Sequence, residues 1–161
     1  MRTMRLLLCL ILVVGGSTLS RLAAADQLTI KLPGRHPDYS FEAEPHLMVV
    51  PFGRLETGAG FRGTVQIVDN GFVSAINNSV GIGFGADITN RGTYVPVVMQ
   101  WNFWLSQNWS VFGEPGISLG MGRHRLRPAI WAGGRFRLTD TITLTLRAGS
   151  PDLTFGVSFL I

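Results

Sequence analysis

The chain has 161 residues, fourteen of them basic, ten acidic and one a cysteine. That length fits one domain, and a lone cysteine excludes an internal disulfide and a cysteine-built metal centre. The formal charge of +4 is no nucleic-acid footprint, because Arg2, Arg5 and Arg21 all fall in the first segment and leave eleven basic residues against ten acids.

That first segment reads as a secretory signal peptide, residues 1–25. Met1–Arg5 carries two arginines, Leu6–Val14 is an unbroken apolar run, and Leu22–Ala23–Ala24–Ala25 supplies a small-residue cleavage site before Asp26. The apolar run is shorter than the about 20 residues that a spanning helix needs. Cys9 leaves with this segment, and Leu8 before it does not fit a lipidated cysteine. Residues 26–39, with Pro33, Gly34 and Pro37, read as a loose polar lead.

From residue 40 to 161 the period is two, the signature of strands whose side chains alternate between faces. Eight runs follow in order. Phe41, Ala43, Pro45, Leu47 and Val49 alternate with Glu42, Glu44, His46 and Met48. Phe61, Val65 and Ile67 alternate with Arg62, Thr64 and Gln66. Val80, Ile82, Phe84, Ala86 and Ile88 alternate with Ser79, Gly81, Gly83, Gly85 and Asp87. Val95, Val97, Met99, Trp101 and Phe103 alternate with Tyr94, Pro96, Val98, Gln100 and Asn102. Trp109, Val111, Pro115, Ile117 and Leu119 alternate with Ser110, Phe112, Glu114, Gly116 and Ser118. Pro128, Ile130, Ala132 and Phe136 alternate with Arg127, Trp131, Arg135 and Arg137. Ile142, Leu144, Leu146 and Ala148 alternate with Thr141, Thr143, Thr145 and Arg147. Leu153, Phe155, Val157, Phe159 and Ile161 alternate with Thr154, Gly156, Ser158 and Leu160. Turn residues break the runs at 53–58, 69–78, 90–92, 107–108, 120–124, 139–140 and 149–152.

The expected fold is all-β: an eight-stranded antiparallel up-and-down barrel, closed so that no strand edge is left unpaired. A soluble barrel fills its core with the apolar face, whereas a transmembrane barrel turns that face to lipid. The polar face mixes small residues with charges of both signs. Glu42, Glu44, His46, Asp87 and Glu114 share it with Arg62, Arg127, Arg135, Arg137 and Arg147. Paired inside a narrow lumen, these groups satisfy one another and form a charge network. Tyr94, Trp101, Phe103, Trp104, Trp109, Phe155 and Phe159 gather as candidates for interfacial aromatic girdles. The expectation is a transmembrane barrel; a soluble exported lipocalin-like barrel holding a small apolar ligand is the alternative.

On this pattern, residues 40–161 resemble the small eight-stranded outer-membrane barrels of Gram-negative bacteria, the OmpA/OmpX/OmpW kind. The resemblance implies residence in the outer membrane, contact with its lipid and lipopolysaccharide, and handling by the barrel assembly machinery. It also implies that the final strand, through Phe155, Val157, Phe159 and Ile161, is the assembly signal, here with isoleucine in the last position instead of the usual aromatic. With both termini in the periplasm, the outward connections are short and argue against an adhesin. The longest connection of all, 69–78, is not among them and would face the periplasm.

Chemistry-bearing motifs are sparse. Gly58–Gly63 fits G-x-G-x-x-G but precedes strand-like residues, where a dinucleotide fold needs a helix. His46, two and four residues from Glu44 and Glu42, and His124, among arginines, are the bases that an outer-membrane lipid-modifying enzyme would use. No serine is tied to either. The expected role is a non-enzymatic structural envelope component or narrow pore, with no metal, no cofactor and no nucleic acid.

Overall fold

The computed structural model describes residues 27–51, 55–121, 126–150 and 152–161. The expected signal peptide and His124 lie outside the described residues. Eight strands follow one another: β1 Phe41–Val50, β2 Glu56–Val68, β3 Asn78–Thr89, β4 Gly92–Trp104, β5 Trp109–Gly120, β6 Leu126–Arg137, β7 Ile142–Ser150 and β8 Leu153–Leu160. Each pairs antiparallel with the next, and β1 pairs with β8, so the sheet is a closed barrel. Among the described residues no α-helix forms.

Five of the expected breaks lose residues to the strands, two of them, 53–58 and 149–152, two residues or more. Thr57 and Gly58 belong to β2, and Gly149 and Ser150 to β7, paired with Trp131 and Ile130. Gly149 reads as a turn residue, but its missing side chain serves packing. A Cβ there would run into Trp131 and the Ile130 carbonyl.

Proline lacks a backbone donor and is normally confined to sheet edges. This barrel has no edge, yet Pro45, Pro96, Pro115 and Pro128 lie within its strands. Each sits where a ladder lapses. The β1–β8 register skips Glu44 and Pro45, the β3–β4 register skips Pro96, and the β4–β5 register skips Pro115. Pro128 lies beyond the last β6–β7 pair, Ile130–Ser150.

The faces are those of an inverted barrel. Leu47, Ile88, Ile130 and Leu146 point outward and are each more than 60% exposed, while Glu114 and Arg147 point inward and are 0% exposed. The soluble lipocalin-like arrangement is therefore reversed: the apolar face is the outer wall. Trp101 and Phe103 (5.0 Å) and Trp109 and Phe136 (4.9 Å) pair on that wall, near the end of the barrel where both termini lie. Phe72 packs edge-on against Trp101. Tyr94 and Trp104 correct the expected girdle: both share the lumen face with Gln100 and Asn102, because β4 keeps strict alternation through its whole length. Phe155 lies on the wall opposite Leu47 and Leu146.

The lead is ordered, not loose. Thr29 N donates to Leu105 O, Asn77 N donates to Ile30 O, and Leu28 bridges to Ser106. His36 stacks on Trp104 at 5.7 Å. Tyr39 inserts into the barrel mouth against Trp104 and Leu160, where burial pushes its phenol pKa up. Two adjacent asparagines organise this end. Asn77 Nδ2 donates to Arg35 O, while Asn78 Nδ2 donates to Asn70, Val73 and Ile76 carbonyls. Asn78 Oδ1 accepts from Phe72 N and Trp101 Nε1. Both side chains are fully buried, so one fixes the lead and the other the 69–77 connection.

Closure runs through the last residues. Phe159 pairs with Ala43, Leu160 with Glu42, and Ile161 exchanges backbone hydrogen bonds with Phe41. Deleting Phe159–Ile161 opens the seam and removes one wall of the Tyr39 pocket. The truncated chain is expected not to form a barrel, seen as loss of the heat-dependent gel shift that the intact chain shows in detergent.

Candidate functional site

The lumen holds a closed circuit of ionisable side chains. Strand alternation aims Glu44 and His46 of β1, Arg62 of β2, Asp87 of β3, Glu114 of β5 and Arg147 of β7 at one level of the interior. Arg147 grips two carboxylates with its planar fork. Its Nη1 and Nη2 reach Glu44 at 2.6 and 3.0 Å, and its Nε and Nη2 reach Glu114 at 2.8 and 3.2 Å. Glu114 also accepts from Arg62 Nη1 at 3.0 Å. Arg62 Nη2 faces Asp87 at 3.7 Å, Asp87 meets His46 Nε2 at 2.9 Å, and His46 Nδ1 faces Glu44 at 3.7 Å. The circuit closes on itself.

Neutral partners extend it to every strand. Gln100 of β4 donates to Glu114, and Ser158 of β8 donates to Glu44. Asn102 of β4 donates to Gln100 and accepts from Arg135 of β6, and Arg135 is paired with Glu42 at 2.8 Å. Aromatic faces cover the guanidiniums. Phe112 lies under both Arg135 (4.3 Å) and Arg147 (5.2 Å), and Trp131 lies under Arg62 at 5.2 Å. Glycine makes the close approaches possible. A Cβ on Gly60 would collide with both His46 Nε2 and Asp87 Oδ1, and one on Gly156 would press on Glu44.

Apolar layers close the network above and below. Tyr39, Trp104 and Leu160 lie toward the termini, and Val98, Ala129 and Trp131 toward the opposite end. There Trp131 Nε1 donates to Asp152 Oδ1 at 2.9 Å, in the connection after β7. Burial raises the Asp152 carboxyl pKa above its ordinary value, because the charged form is poorly solvated.

Eight of the ten groups expected in the lumen network are in these pairs: Glu42, Glu44, His46, Arg62, Asp87, Glu114, Arg135 and Arg147. Arg127 and Arg137 are not. Arg127 lies over the Tyr94 ring at 4.4 Å, near the end away from the termini. Arg137, the last residue of β6, reaches the mouth beside the lead. Both share the inward face, but they stand toward the ends of their strand, and among the described residues neither has an acid within 4 Å. Gln100, Asn102, Phe112, Trp131 and Ser158 were not expected as partners. Alternation placed them on the correct face, but only the register between strands shows which of them meet.

No serine hydrogen-bonds to His46 among the described residues. Among the described residues its ring nitrogens face carboxylates, and Ser158 is turned to Glu44. Gly58–Gly63 lies wholly within β2, with no helix for a phosphate to meet.

No protein-family model matches the chain, and no curated protein matches it in sequence. Solved structures share the fold. A de novo designed transmembrane β-barrel superposes with a TM-score of 0.53 at 13% identity, over 82% of this chain and 99% of the design. The Yersinia pestis outer membrane protein Ail, in phospholipid bilayer nanodiscs, superposes with a TM-score of 0.50 at 9% identity, over 77% of this chain and all of Ail. At such identities the likeness is one of backbone architecture.

Two measurements probe the interior. Removing one partner of a buried ion pair strands the other charge, so Glu114→Ala is expected to cost about 3–5 kcal/mol in urea unfolding in micelles. Glu56→Ala, which breaks the half-exposed pair with Arg91 at 3.5 Å, is expected to cost about 0–1 kcal/mol. A raised Asp152 pKa means that the folded state holds a proton the unfolded state has lost, so stability falls as pH rises from about 4 through that pKa. Asp152→Asn keeps an acceptor for Trp131 and is expected to flatten that fall.

Proposed function

We propose that the protein is an integral outer-membrane β-barrel of the small eight-stranded OmpA/OmpX/OmpW kind, serving as a structural envelope component with neither an open pore nor catalysis. The observation that carries this reading is the inversion of the barrel. A continuous outer wall of leucine, isoleucine, valine and phenylalanine surrounds a buried polar interior. In water such a wall is a far larger apolar patch than a soluble monomer tolerates. In lipid it is the ordinary exterior, and closure leaves no unpaired backbone edge in the hydrocarbon.

Strand length supports the same environment. The strands run from 8 to 13 residues, bracketing the about 9–11 that a tilted strand needs to cross. Aromatic pairs collect at the end bearing the termini, the end that an exported barrel keeps in the periplasm. Lipid and lipopolysaccharide would then contact the wall, and the barrel assembly machinery would receive the final strand.

The lumen favours a closed barrel over a narrow pore. Arg62, Gln100, Glu114 and Arg147 come from four strands around one level, and each is at most 1% exposed. A water path past that level would wet at least one of them.

The protein is expected in the outer-membrane fraction, extractable only with detergent and migrating differently before and after boiling. Recovery in the soluble periplasm would overturn the reading. In planar bilayers the purified barrel is expected to give no stepwise conductance, and well-defined steps would count for the pore.

A further inference from the structure

The charge logic of the lumen stops at the mouth. Arg35 of the lead and Arg137 at the end of β6 line one cleft of about 310 Å³, with Gly34, His36, Pro37 and Gln107. Among the described residues neither guanidinium has an acid within 4 Å, whereas Arg62, Arg135 and Arg147 in the lumen are all paired. A second, smaller hollow lined by Gln27, Thr29 and Leu32 shares Arg35 and Gln107 with it.

The cleft is held open by its frame. Buried Asn77 fixes the Arg35 carbonyl at 2.9 Å. His36 is wedged between the Trp104 ring and the Asp69 carbonyl, which its Nε2 meets at 2.8 Å. Gly34 takes φ +75°, a turn that most side chains would strain. Arg137 N is tied to Asn108 O. Two like charges are thus carried to one hollow by separate elements, with no acid within 4 Å of either guanidinium among the described residues. Guanidinium forks match the oxygens of carboxylates and phosphates.

We infer that this mouth cleft binds an oxyanion, a phosphate or carboxylate group, between Arg35 and Arg137, with the Gln107 amide as a neutral donor beside them. The site lies outside the barrel wall and does not depend on what surrounds that wall. A free phosphorylated or carboxylated solute and a lipid headgroup present the same chemistry to it.

The test uses the 15N-labelled protein in maltoside micelles, which carry no phosphate. Inorganic phosphate, acetate and chloride are titrated at matched ionic strength while the amides of Gly34, Arg35, Gln107 and Arg137 are followed. Saturable shifts confined to the cleft are expected with phosphate or acetate and not with chloride. Each of Arg35→Gln and Arg137→Gln is expected to weaken binding about tenfold, the loss of one charge-assisted contact, and the double variant to abolish it. If instead only phosphatidylglycerol doped into the micelles produces the shifts, and the double variant removes them, the oxyanion is a lipid headgroup. Shifts that match those of chloride with every probe, or that survive in the double variant, overturn the inference. The heat-dependent gel shift of each variant shows that the barrel itself is intact.

Discussion

The fork of Arg147, closed on Glu44 and Glu114 together, is the contact on which the interior depends. Both acids and the arginine are buried, and each ion taken from water costs several kcal/mol that a single partner does not return. The circuit answers that cost by sharing. Glu114 takes two guanidiniums and an amide, and Glu44 takes Arg147, Ser158 and the His46 edge. Because members come from β1, β2, β3, β5 and β7, they can be satisfied together only when the barrel is closed with its strands in register. The network is therefore a condition on the fold, specifying one arrangement of strands, more than a source of net stability.

Register sensitivity follows from the same geometry. A slip of one residue would turn Glu44 and His46 to the apolar wall and bring Pro45 inside. Gly60 and Gly156 sharpen the condition, since they alone leave room at their positions for the His46–Asp87 contact and for Glu44. The strand prolines fit it as well, each placed where its missing donor has no ladder partner to disappoint. These are costs accepted locally in a sheet that still closes on itself around the barrel.

The two ends are treated differently. At one, the lead is laid across the mouth and plugged by Tyr39, with Asn77 and Asn78 holding it and the 69–77 connection. At the other, among the described residues, Trp131 and Asp152 cap the interior. The mouth therefore combines a dry aromatic seal with a cationic cleft beside it.

Much of this was legible in the sequence because a strand's period is two and its faces cannot mix. Alternation by itself determined the eight strands, which side chains share a face, and the company of acids and arginines on one of the two faces; only the structure shows that this face is the inner one. It also placed Tyr94 on the polar face, although its aromatic character suggests the girdle, whereas the inward turn of Trp104 came from the structure. What alternation does not carry is height along the barrel, since that depends on how far each strand is shifted against its neighbours. Only the tertiary structure decided that Arg147 sits level with Glu44 and Glu114, that Phe112 lies beneath two guanidiniums, and that Arg127 and Arg137 fall outside the circuit. The lead was illegible for a different reason: its short alternation of Leu28, Ile30 and Leu32 with Thr29 and Lys31 stops at Pro33, and the segment is ordered by single contacts to Asn77, Trp104 and Leu105 that lie far away in the chain.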